Sequence, residues 1–347
     1  MRHLASVRTV SKIQPIPGAD AIEHLAVDGW WVVAKKGEFA VGDLAVYFEI
    51  DSWIPHDLAP FLSGGKAPKD FEGIPGARLR TVKLRGALSQ GLLLPVSILP
   101  EELRVAGTDV TEHLGVQKWE PEVSLSLRGC APKGSSAGSF PYGIPKTDLE
   151  RVQNISHLPF GETFEVTLKL DGSSCTLLHD LDGKVRVFSR NIELDRESPH
   201  NSGNAFVAIS NQFESAVQGL PLGWAIRGEL MGPGIQGNRE GFSHLKFFAF
   251  DIWDASGSDV PGYLPPGVTS DWCDKLGFEQ TPLIDAGFVF NSEEHTRESL
   301  LQWAETFRSI NHPIAEGIVF KHVLGDRAEM PLKRFKVISN LFLLKEK

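Results

Sequence analysis

A stretch of 25 residues divides this chain of 347 residues into two parts of different character. Residues 121–145 contain four prolines, four glycines and five serines, and they show little periodicity from Gly129 onward. This composition is typical of a linker or a surface crossing, because it builds no continuous hydrophobic face. We therefore predict two domains, at residues 1–120 and 146–347, joined by a linker at 121–145.

The first part shows the pattern of a small all-β domain. Short apolar or alternating runs are broken by Gly, Asp and Pro, as in "GWWVVAKKGEF", "DLAVYFEIDSWIP", "ARLRTVKLRG" and "QGLLLPVSIL". Alternation with period two and frequent turn residues indicates strands rather than helices. The prediction for this part is a small β-barrel.

The second part mixes strands with helices. The predicted strands are "TFEVTLKL", "KVRVFSR", "GWAIRGELM", "LKFFAFDIW" and "EGIVFKH". Two segments have helical spacing instead, one through Phe206, Ile209, Phe213 and Val217, the other through Leu300, Leu301, Ala304, Phe307 and Ile310 behind a Ser292 cap. An α+β domain with antiparallel sheets is expected.

Bulk composition is that of an ordinary soluble protein, with 41% hydrophobic and 23% charged residues. Cys130, Cys175 and Cys273 lie far apart, which favours neither a disulfide framework nor a zinc site and indicates a reducing compartment. No apolar run is long enough for a membrane span, so we expect a cytoplasmic protein with no membrane partner. A net charge of −9 argues against a basic coat, although a local groove can still hold phosphates.

One lysine stands out within "EVTLKLDGSSCT", residues 165–176. Lys169 ends an apolar strand and precedes Asp171 and Gly172, which signal a turn. Burial at such a strand end disfavours the ammonium, so we expect a lowered lysine pKa and a nucleophilic amine. The alternative interpretation is an edge-strand lysine before a tight turn.

Five further segments carry polar or aromatic residues at strand ends. They hold Arg190 ("VFSRN"), Glu229 ("GELMGPGIQGN"), Phe250 and Asp251 ("FFAFDIW"), Glu316 and Lys321 ("AEGIVFKH"), and Arg334 with Lys336 ("KRFKVIS"). Each is weak evidence alone. "GPGIQG" matches G-x-G-x-x-G but contains Pro233 and leads to no helical pattern, and the sequence has no G-x-x-x-x-G-K-[ST] loop.

Taken in this order, the segments resemble the motif series of the covalent nucleotidyltransferases, which include ATP-dependent DNA and RNA ligases and RNA capping enzymes. The resemblance covers residues 146–347, and "GELMGPGIQGN" and "EGIVFK" are most similar to RNA ligases. The front part is similar to the OB-like domain of bacterial nick-sealing RNA ligases of the DraRnl type. The resemblance implies an α+β fold class: an N-terminal OB-like β-barrel, then a nucleotidyltransferase (ATP-grasp-like DNA/RNA ligase) domain of antiparallel sheets flanked by helices.

The resemblance also implies roles for single residues. Lys169 would attack ATP to form lysyl-AMP, assisted by Lys321, Lys336 and Mg²⁺ or Mn²⁺. Glu316 and Asp171 would bind the metal, Glu229 the ribose, Phe250 the adenine and Arg190 a phosphate. At two positions the chain departs from the family: Leu168 precedes the nucleophile, so a contact to adenine there would use its backbone, and Arg334 replaces the usual lysine among the AMP-binding residues.

Nucleic acid is the expected partner, as nicked duplex RNA or an RNA/DNA hybrid bound by a monomer. Within "RLRTVKLRG", period two would pair Arg78 with Arg80 and Lys83 with Arg85 on shared strand faces, suited to a phosphate backbone or simply to solvent. The resemblance adds Lys146 and Arg151, in "PKTDLERVQN", to the nucleic-acid-binding residues. The expected activity is sealing of nicks whose 3′-OH strand is RNA.

Two alternatives remain open at this point. One is another covalent nucleotidyltransferase, such as a DNA ligase or a capping guanylyltransferase. The eleven residues after Lys336 leave too little room for the C-terminal OB domain expected of either. The other is a non-catalytic OB-type RNA-binding protein, disfavoured by the presence of Lys169, Glu229, Glu316 and Lys336.

Overall fold

The computed structural model describes residues 3–119, 135–141, 143–146, 148–256 and 262–345. The chain forms two compact units. The first comprises residues 1–121, 153–156 and 343–347, and the second comprises residues 122–152 and 157–342. Much of the predicted linker lies outside the described residues, but Ser136–Ser139 forms a strand paired with Ile192–Leu194. That strand belongs to the second unit, so the end of the linker prediction is wrong.

The first unit is built from strands. Among its described residues these are β1 Ala5–Pro15, β2 Ile22–Val27, β3 Trp30–Lys35, β4 Leu44–Phe48, β5 Ser52–Pro55, β6 Lys69–Phe71, β7 Ile74–Arg78, β8 Val82–Leu84, β9 Ala87–Ser89, β10 Leu92–Pro95 and β11 Gln117–Lys118. They form an antiparallel sheet in the order β10-β4-β1-β2-β3, a second in the order β11-β5-β7-β6, and the hairpin β8-β9. Strand β3 also contacts β10 and β9, so the larger sheet curls upon itself.

The basic run in this unit does not form the single strand expected from its alternation. Strand β7 ends at Arg78 and β8 begins at Val82. Arg78 turns inward, 2.6 Å from the Asp51 carboxylate and stacked on Trp119, whereas Arg80, Lys83 and Arg85 are exposed. The predicted shared face of Arg78 and Arg80 is therefore wrong, because an ion pair and an aromatic ring hold Arg78 in the interior.

The second unit contains two antiparallel sheets. The described strands are β12 Ser136–Ser139, β13 Thr163–Lys169, β14 Ser173–His179, β15 Val185–Phe188, β16 Ile192–Leu194, β17 Trp224–Met231, β18 Lys246–Asp254, β19 Gly262–Tyr263, β20 Leu283–Val289, β21 Gly317–His322 and β22 Arg334–Ile338. One sheet has the order β12-β16-β15-β14-β17-β18-β19, and the other has the order β20-β13-β21-β22. We call them the large sheet and the small sheet.

The described α-helices are α1 Ala205–Gln212, α2 Glu214–Gln218, α3 Pro266–Leu276, α4 Arg297–Glu305 and α5 Asn340–Lys345. The first predicted helical segment is interrupted at Phe213, but Phe206, Ile209 and Val217 are buried in one cluster, as its spacing indicates. The second begins later than predicted. Thr296 caps α4 by accepting from the Ser299 amide, so the predicted Ser292 cap is wrong. Short 3₁₀ turns lie at Pro60–Ser63, Val96–Ile98, Glu101–Leu103, Val152–Asn154, Pro199–Asn201, Gln236–Asn238 and Gly325–Arg327.

Strand β13 shows how the sequence positions the site. Its alternation sends Phe164, Val166 and Leu168 into the core, where Phe164 packs on the rings of Phe290, Phe320 and Phe335. Successive strand residues point to opposite faces. Glu165, Thr167 and Lys169 therefore share the other face, toward the large sheet. No helix in the part of the chain that the structure describes is long and apolar enough to cross a membrane.

Candidate active site

Cross-strand register aligns three rows of residues on one face of the small sheet, and each row contains at least one charged side chain. Lys169 lies opposite Gly317, Thr167 opposite Val319, and Glu165 opposite Lys321. Strand β22 continues these rows with Ile338, Lys336 and Arg334 respectively. The residues that the sequence singled out on three separate strands therefore converge on a single surface.

Lys169 and Glu316 form the centre of that surface. The Lys169 Nζ atom lies 2.7 Å from the Glu316 Oε2 atom, and the two side chains are 24% and 15% exposed. Gly317, the next residue, allows β21 to pack closely on β22, because a Cβ atom there would lie 2.1 Å from the Val337 carbonyl oxygen. The lysine is thus accessible from the cleft and ion-paired.

The ion pair reverses one prediction. Burial lowers the pKa of Lys169, but Glu316, Glu229 and Asp171 together outweigh that effect, so the lysine pKa is raised. The expected lowering of the Lys169 pKa by burial is therefore wrong. Glu316 and Asp171 keep the amine protonated, and it must lose a proton before it can act as a nucleophile.

Glu229 docks against the turn that follows Lys169. Its Oε1 atom accepts a hydrogen bond of 2.9 Å from the Gly172 amide. A side chain at position 172 would collide with this arrangement, because a Cβ atom would lie 2.5 Å from the Leu230 carbonyl oxygen. Glycine in the K-x-D-G segment is therefore required by packing.

The pKa of Glu229 is raised to about 8. Burial is the largest cause, Lys169 opposes it, and Glu316 adds to it. The unfolded chain loses this proton near pH 4.5, whereas the folded protein keeps it until about pH 8. The stability linked to Glu229 is therefore fully present below pH 4.5 and is lost as the pH rises toward 8.

We predict that the free energy of unfolding of Glu229→Gln depends less on pH than that of the wild type. The wild type should lose stability between pH 5 and pH 8 relative to the variant. Urea unfolding at both pH values measures this, with the exposed Glu293→Gln as the matched control. Parallel pH dependences for wild type and Glu229→Gln would contradict the buried, neutral carboxyl.

Arg239 is a site residue that the sequence did not single out. Its Nη1 atom lies 3.6 Å from the Asp171 carboxylate, and its guanidinium stacks 4.5 Å from the centre of the Phe342 ring. It follows a tight bend in which Gln236, Gly237 and Asn238 all have positive φ. That bend belongs to the "GPGIQGN" segment, whose glycines are the sequence signal for it. The bend places Arg239 beside Asp171 and does not form a dinucleotide-binding turn.

A cavity of about 300 Å³ opens between the two sheets of the second unit. Glu165, Thr167 and Lys321 line it from the small sheet, and Phe250 lines it from the large sheet. Thr281 belongs to the segment before β20 that completes the wall. We call this cavity the cleft pocket; it combines an aromatic ring with a few polar groups, which is typical of small-ligand sites.

Buried side chains of opposite charge lie next to one another along the wall of the cleft pocket. The Lys321 ammonium lies 3.7 Å from Glu165 and 3.6 Å from Asp251, and it donates a hydrogen bond to the Phe250 carbonyl oxygen. Arg334 lies 2.8 Å from Asp251 and stacks 3.4 Å from the centre of the Tyr263 ring. We call Glu165, Lys321, Asp251, Arg334 and Tyr263 the charge chain.

Burial and pairing compete within the charge chain. Burial raises the pKa of Asp251, but Arg334 and Lys321 outweigh it, so the pKa is lowered. Burial also raises the pKa of Glu165, and there it exceeds the opposing effect of Lys321. Asp251 is therefore the firmly ionised member, held between two cations.

The remaining predicted residues lie elsewhere in the second unit. Arg190 lies 2.7 Å from Asp148, and Lys146 donates to the Asn191 side chain over 3.1 Å. The Arg151 side chain is buried, and its backbone forms an isolated parallel β-bridge with Lys336 on β22. The Leu168 side chain packs in the core, and its amide donates to Pro282 over 2.9 Å.

Comparison with known proteins agrees with this arrangement. A family model for RNA ligases matches residues 162–338, and a model described as an OB-fold domain matches residues 4–96. No curated protein matches the chain.

Solved structures of Naegleria gruberi RNA ligase are similar over nearly the whole length. A lysine-to-alanine variant with ATP and Mn is 41% identical, with 98% of each chain covered and a TM-score of 0.85. The complex with PPi is 41% identical and covers 99% of this chain and 98% of that chain, with a TM-score of 0.85. A glutamate-to-alanine variant with AMP and Mn gives the same values.

Fold and site together define a covalent nucleotidyltransferase with an N-terminal OB fold. The chain belongs to the RNA ligase family. The predicted fold class and the prediction of an enzyme of the ligase class are thereby confirmed.

Proposed function

We propose that this protein seals nicks in duplex nucleic acid through a lysyl-AMP intermediate on Lys169, with ATP as the AMP donor. The observation that carries the proposal is the position of Lys169. It ends β13, the strand whose Thr167 lines the cleft pocket, and lies 2.7 Å from Glu316, with Asp171 contributing negative charge nearby. In this proposal the protein is a nick-sealing ligase similar to the bacterial DraRnl type.

The cleft pocket fits a purine base. Phe250 supplies a ring for stacking, and Thr167, Thr281 and Glu165 supply polar groups along the walls. Glu229 lies near Lys169 and accepts from the Gly172 amide, where its carboxyl suits a ribose hydroxyl. A nucleotide with its base in the pocket would direct its phosphates toward Lys169.

The carboxylates beside Lys169 have the chemistry that Mg²⁺ or Mn²⁺ requires. Glu316 and Asp171 offer hard oxygen donors. No group of three or more metal-ligating side chains is preassembled among the described residues. This suits Mg²⁺, which often binds through one or two carboxylates together with substrate phosphates. A bound cation would offset phosphate charge and, by competing for Glu316, lower the pKa of Lys169.

Three displacements at phosphorus complete the reaction. The Lys169 ammonium first gives one proton to solvent; the neutral amine then attacks the α-phosphorus of ATP, a P–N bond forms, the bond to pyrophosphate breaks, and the nitrogen releases a second proton to solvent and keeps one. An oxygen of the 5′-phosphate then attacks the lysyl-AMP and releases the lysine. Finally the 3′-hydroxyl attacks the activated 5′-phosphate and AMP leaves. Lys336 lies on the cleft face one register row from Lys169, where it can stabilise phosphate charge.

Contacts to the nucleic acid come from cations outside the cleft pocket. Arg80, Lys83 and Arg85 are exposed on the first unit and suit phosphates, whereas Arg78 acts there through its ion pair with Asp51. Arg190 and Lys146 lie together near Asp148 and Asn191, and we assign the activated phosphate to Arg190. Arg151 forms a backbone β-bridge with Lys336 and supports the β22 edge of the small sheet.

We predict that sealing requires ribonucleotides at the 3′-hydroxyl side of the nick, whereas the 5′-phosphate strand can be RNA or DNA. Family membership supports this, since RNA is distinguished by its 2′-hydroxyls and A-form shape. Four nicked duplexes, adenylylated beforehand at the 5′ end, score the last step alone. Equal sealing of deoxy and ribo 3′ termini would return the choice to a general polynucleotide ligase.

The same proposal includes a monomer in a reducing, cytoplasmic location. Cys175 and Cys273 are buried and free, as expected for thiols that need no oxidising compartment.

A further inference from the structure

The charge chain joins the two sheets of the second unit. Glu165, Lys321 and Arg334 lie on β13, β21 and β22 of the small sheet. Asp251 and Tyr263 lie on β18 and β19 of the large sheet. Asp251 sits between Lys321 and Arg334, so each contact along its carboxylate crosses from one sheet to the other.

Lys321 is paired with acceptors from both sheets. Its ammonium donates one hydrogen bond, to the Phe250 carbonyl oxygen, and lies 3.7 Å from the Glu165 carboxylate and 3.6 Å from the Asp251 carboxylate. Its side chain is 5% exposed. A phosphate contact would require it to abandon these partners, whereas its present position fixes the backbone of Phe250.

Arg334 is held by one ion pair and one stacking contact, and its buried Nε and Nη2 atoms have no hydrogen-bond partner among the described residues. One face of its guanidinium stacks on Tyr263, and its Nη1 atom reaches Asp251 while its side chain is 9% exposed. The Tyr263 amide donates to Asp326 over 2.9 Å, and Asp326 lies 3.9 Å from Arg334. A planar guanidinium can stack and pair at once, which an ammonium cannot do in the same geometry.

We propose that Asp251, Arg334 and Lys321 are positioning residues that set the separation of the two sheets and hold Phe250 at the cleft pocket, so that they govern affinity for the nucleoside rather than for the phosphates. This inference rests on the proposed function, since it assigns the cleft pocket to the base of the nucleotide. In this proposal Lys321 and Arg334 position Phe250 and the sheets, whereas the motif resemblance implies that they contact the phosphates directly.

The position of Phe250 explains why the separation matters. It lies on β18 next to Asp251, and the carbonyl oxygen that Lys321 holds is its own. Loss of the Asp251 charge leaves Lys321 and Arg334 without their shared partner in the interior. Because an uncompensated buried charge draws in water or moves its strand, the sheets should shift where the base binds and leave Lys169 and Glu316 in place.

The test compares Asp251→Asn, Arg334→Met and the double variant, with the exposed Asp182→Asn as the matched control. Lysyl-AMP formation gives KM for ATP and the maximal rate. Inhibition of that reaction by adenosine reports the nucleoside half of the site, and inhibition by inorganic tripolyphosphate reports the phosphate half. Thermal unfolding identifies variants that do not fold.

For both single variants we expect KM for ATP and the adenosine inhibition constant to rise about tenfold, because small misplacements at a distance weaken productive binding. The tripolyphosphate constant should stay within about twofold, since no phosphate contact is lost. The double variant should lie closer to the wild type than either single variant, because it removes both members of a buried pair. It also serves as the test if a single variant fails to fold.

Two results would overturn the inference. Tripolyphosphate inhibition that weakens as much as adenosine inhibition in Arg334→Met would assign Arg334 to the phosphates. Asp251→Asn kinetics equal to those of Asp182→Asn would show that the charge chain does not govern the cleft pocket. A wild type that forms no AMP adduct at all would instead reject the proposed function, which keeps the two failures distinct.

Discussion

Replacing Lys169 with alanine should abolish formation of the protein–AMP adduct, a loss on the order of 10⁴-fold or more, as expected when the nucleophile of a covalent mechanism is removed. The structure gives the reason: Lys169 ends the strand whose Thr167 lines the cleft pocket, and it is paired with Glu316. The measurement is transfer of labelled AMP from ATP with Mn²⁺ present. Lys184→Ala, which removes an exposed lysine from the turn between β14 and β15, is the matched control.

The same variant separates the chemical steps. The last displacement joins the 3′-hydroxyl to an already activated 5′-phosphate and needs no lysine nucleophile. Lys169→Ala should therefore still seal a nick that was adenylylated beforehand, although it cannot start from ATP. An AMP adduct on Lys169→Ala would place the nucleophile elsewhere and reject the assignment.

Replacing Glu316 with glutamine should slow lysyl-AMP formation by about 10²- to 10³-fold, the range seen when one preorganised electrostatic group is removed. Glu316 has two possible effects of opposite sign. As the partner of Lys169 it helps raise the lysine pKa, and its removal would favour the neutral amine. As a metal ligand it helps assemble the nucleotide phosphates, and its removal would disfavour the reaction.

The rate of the variant decides between these effects. We expect the loss of metal binding to dominate, so Glu316→Gln should be slow and should need more Mn²⁺ for half-maximal rate. Glu293→Gln controls for removal of an exposed carboxylate from the same unit. A Glu316→Gln rate above that of the wild type at neutral pH would mean that Glu316 only restrains the lysine.

Local patterns predicted much of the site. The alternation of β13 places Lys169 at a strand end, and period two on β22 predicted that Arg334 and Lys336 share a face, which the register confirms. These are properties of one strand at a time. They depend on the side-chain period of a β-strand, so a single sequence reports them well.

The sequence alone could not show which residues the fold brings close to one another. The pKa of Lys169 was predicted in the wrong direction because Glu316 and Glu229 come from strands far along the chain. Burial alone lowers a lysine pKa, but its sign in a folded protein depends on which carboxylates the topology brings near. The same reason explains why Arg239 was overlooked and why Arg78 was assigned to the surface.

Segment boundaries were the other weak point. The stretch around Ser136 looked like a linker because glycine and serine disfavour regular structure in isolation, yet it adds an edge strand to the large sheet. Helix α3 at Pro266–Leu276 was also missed, since its few buried residues, among them Thr269 and Cys273, give little apolar periodicity. Tertiary contacts, rather than local preference, decide such segments.

The central claim is that Lys169 carries AMP, and intact mass with peptide mapping tests it most directly. Purified protein is incubated with ATP and Mn²⁺ and then digested. We predict a mass gain of one AMP per chain, mapped to Lys169, as a phosphoramidate that is labile in acid and stable in base. An adduct on another lysine, or none with either Mg²⁺ or Mn²⁺, would contradict the account.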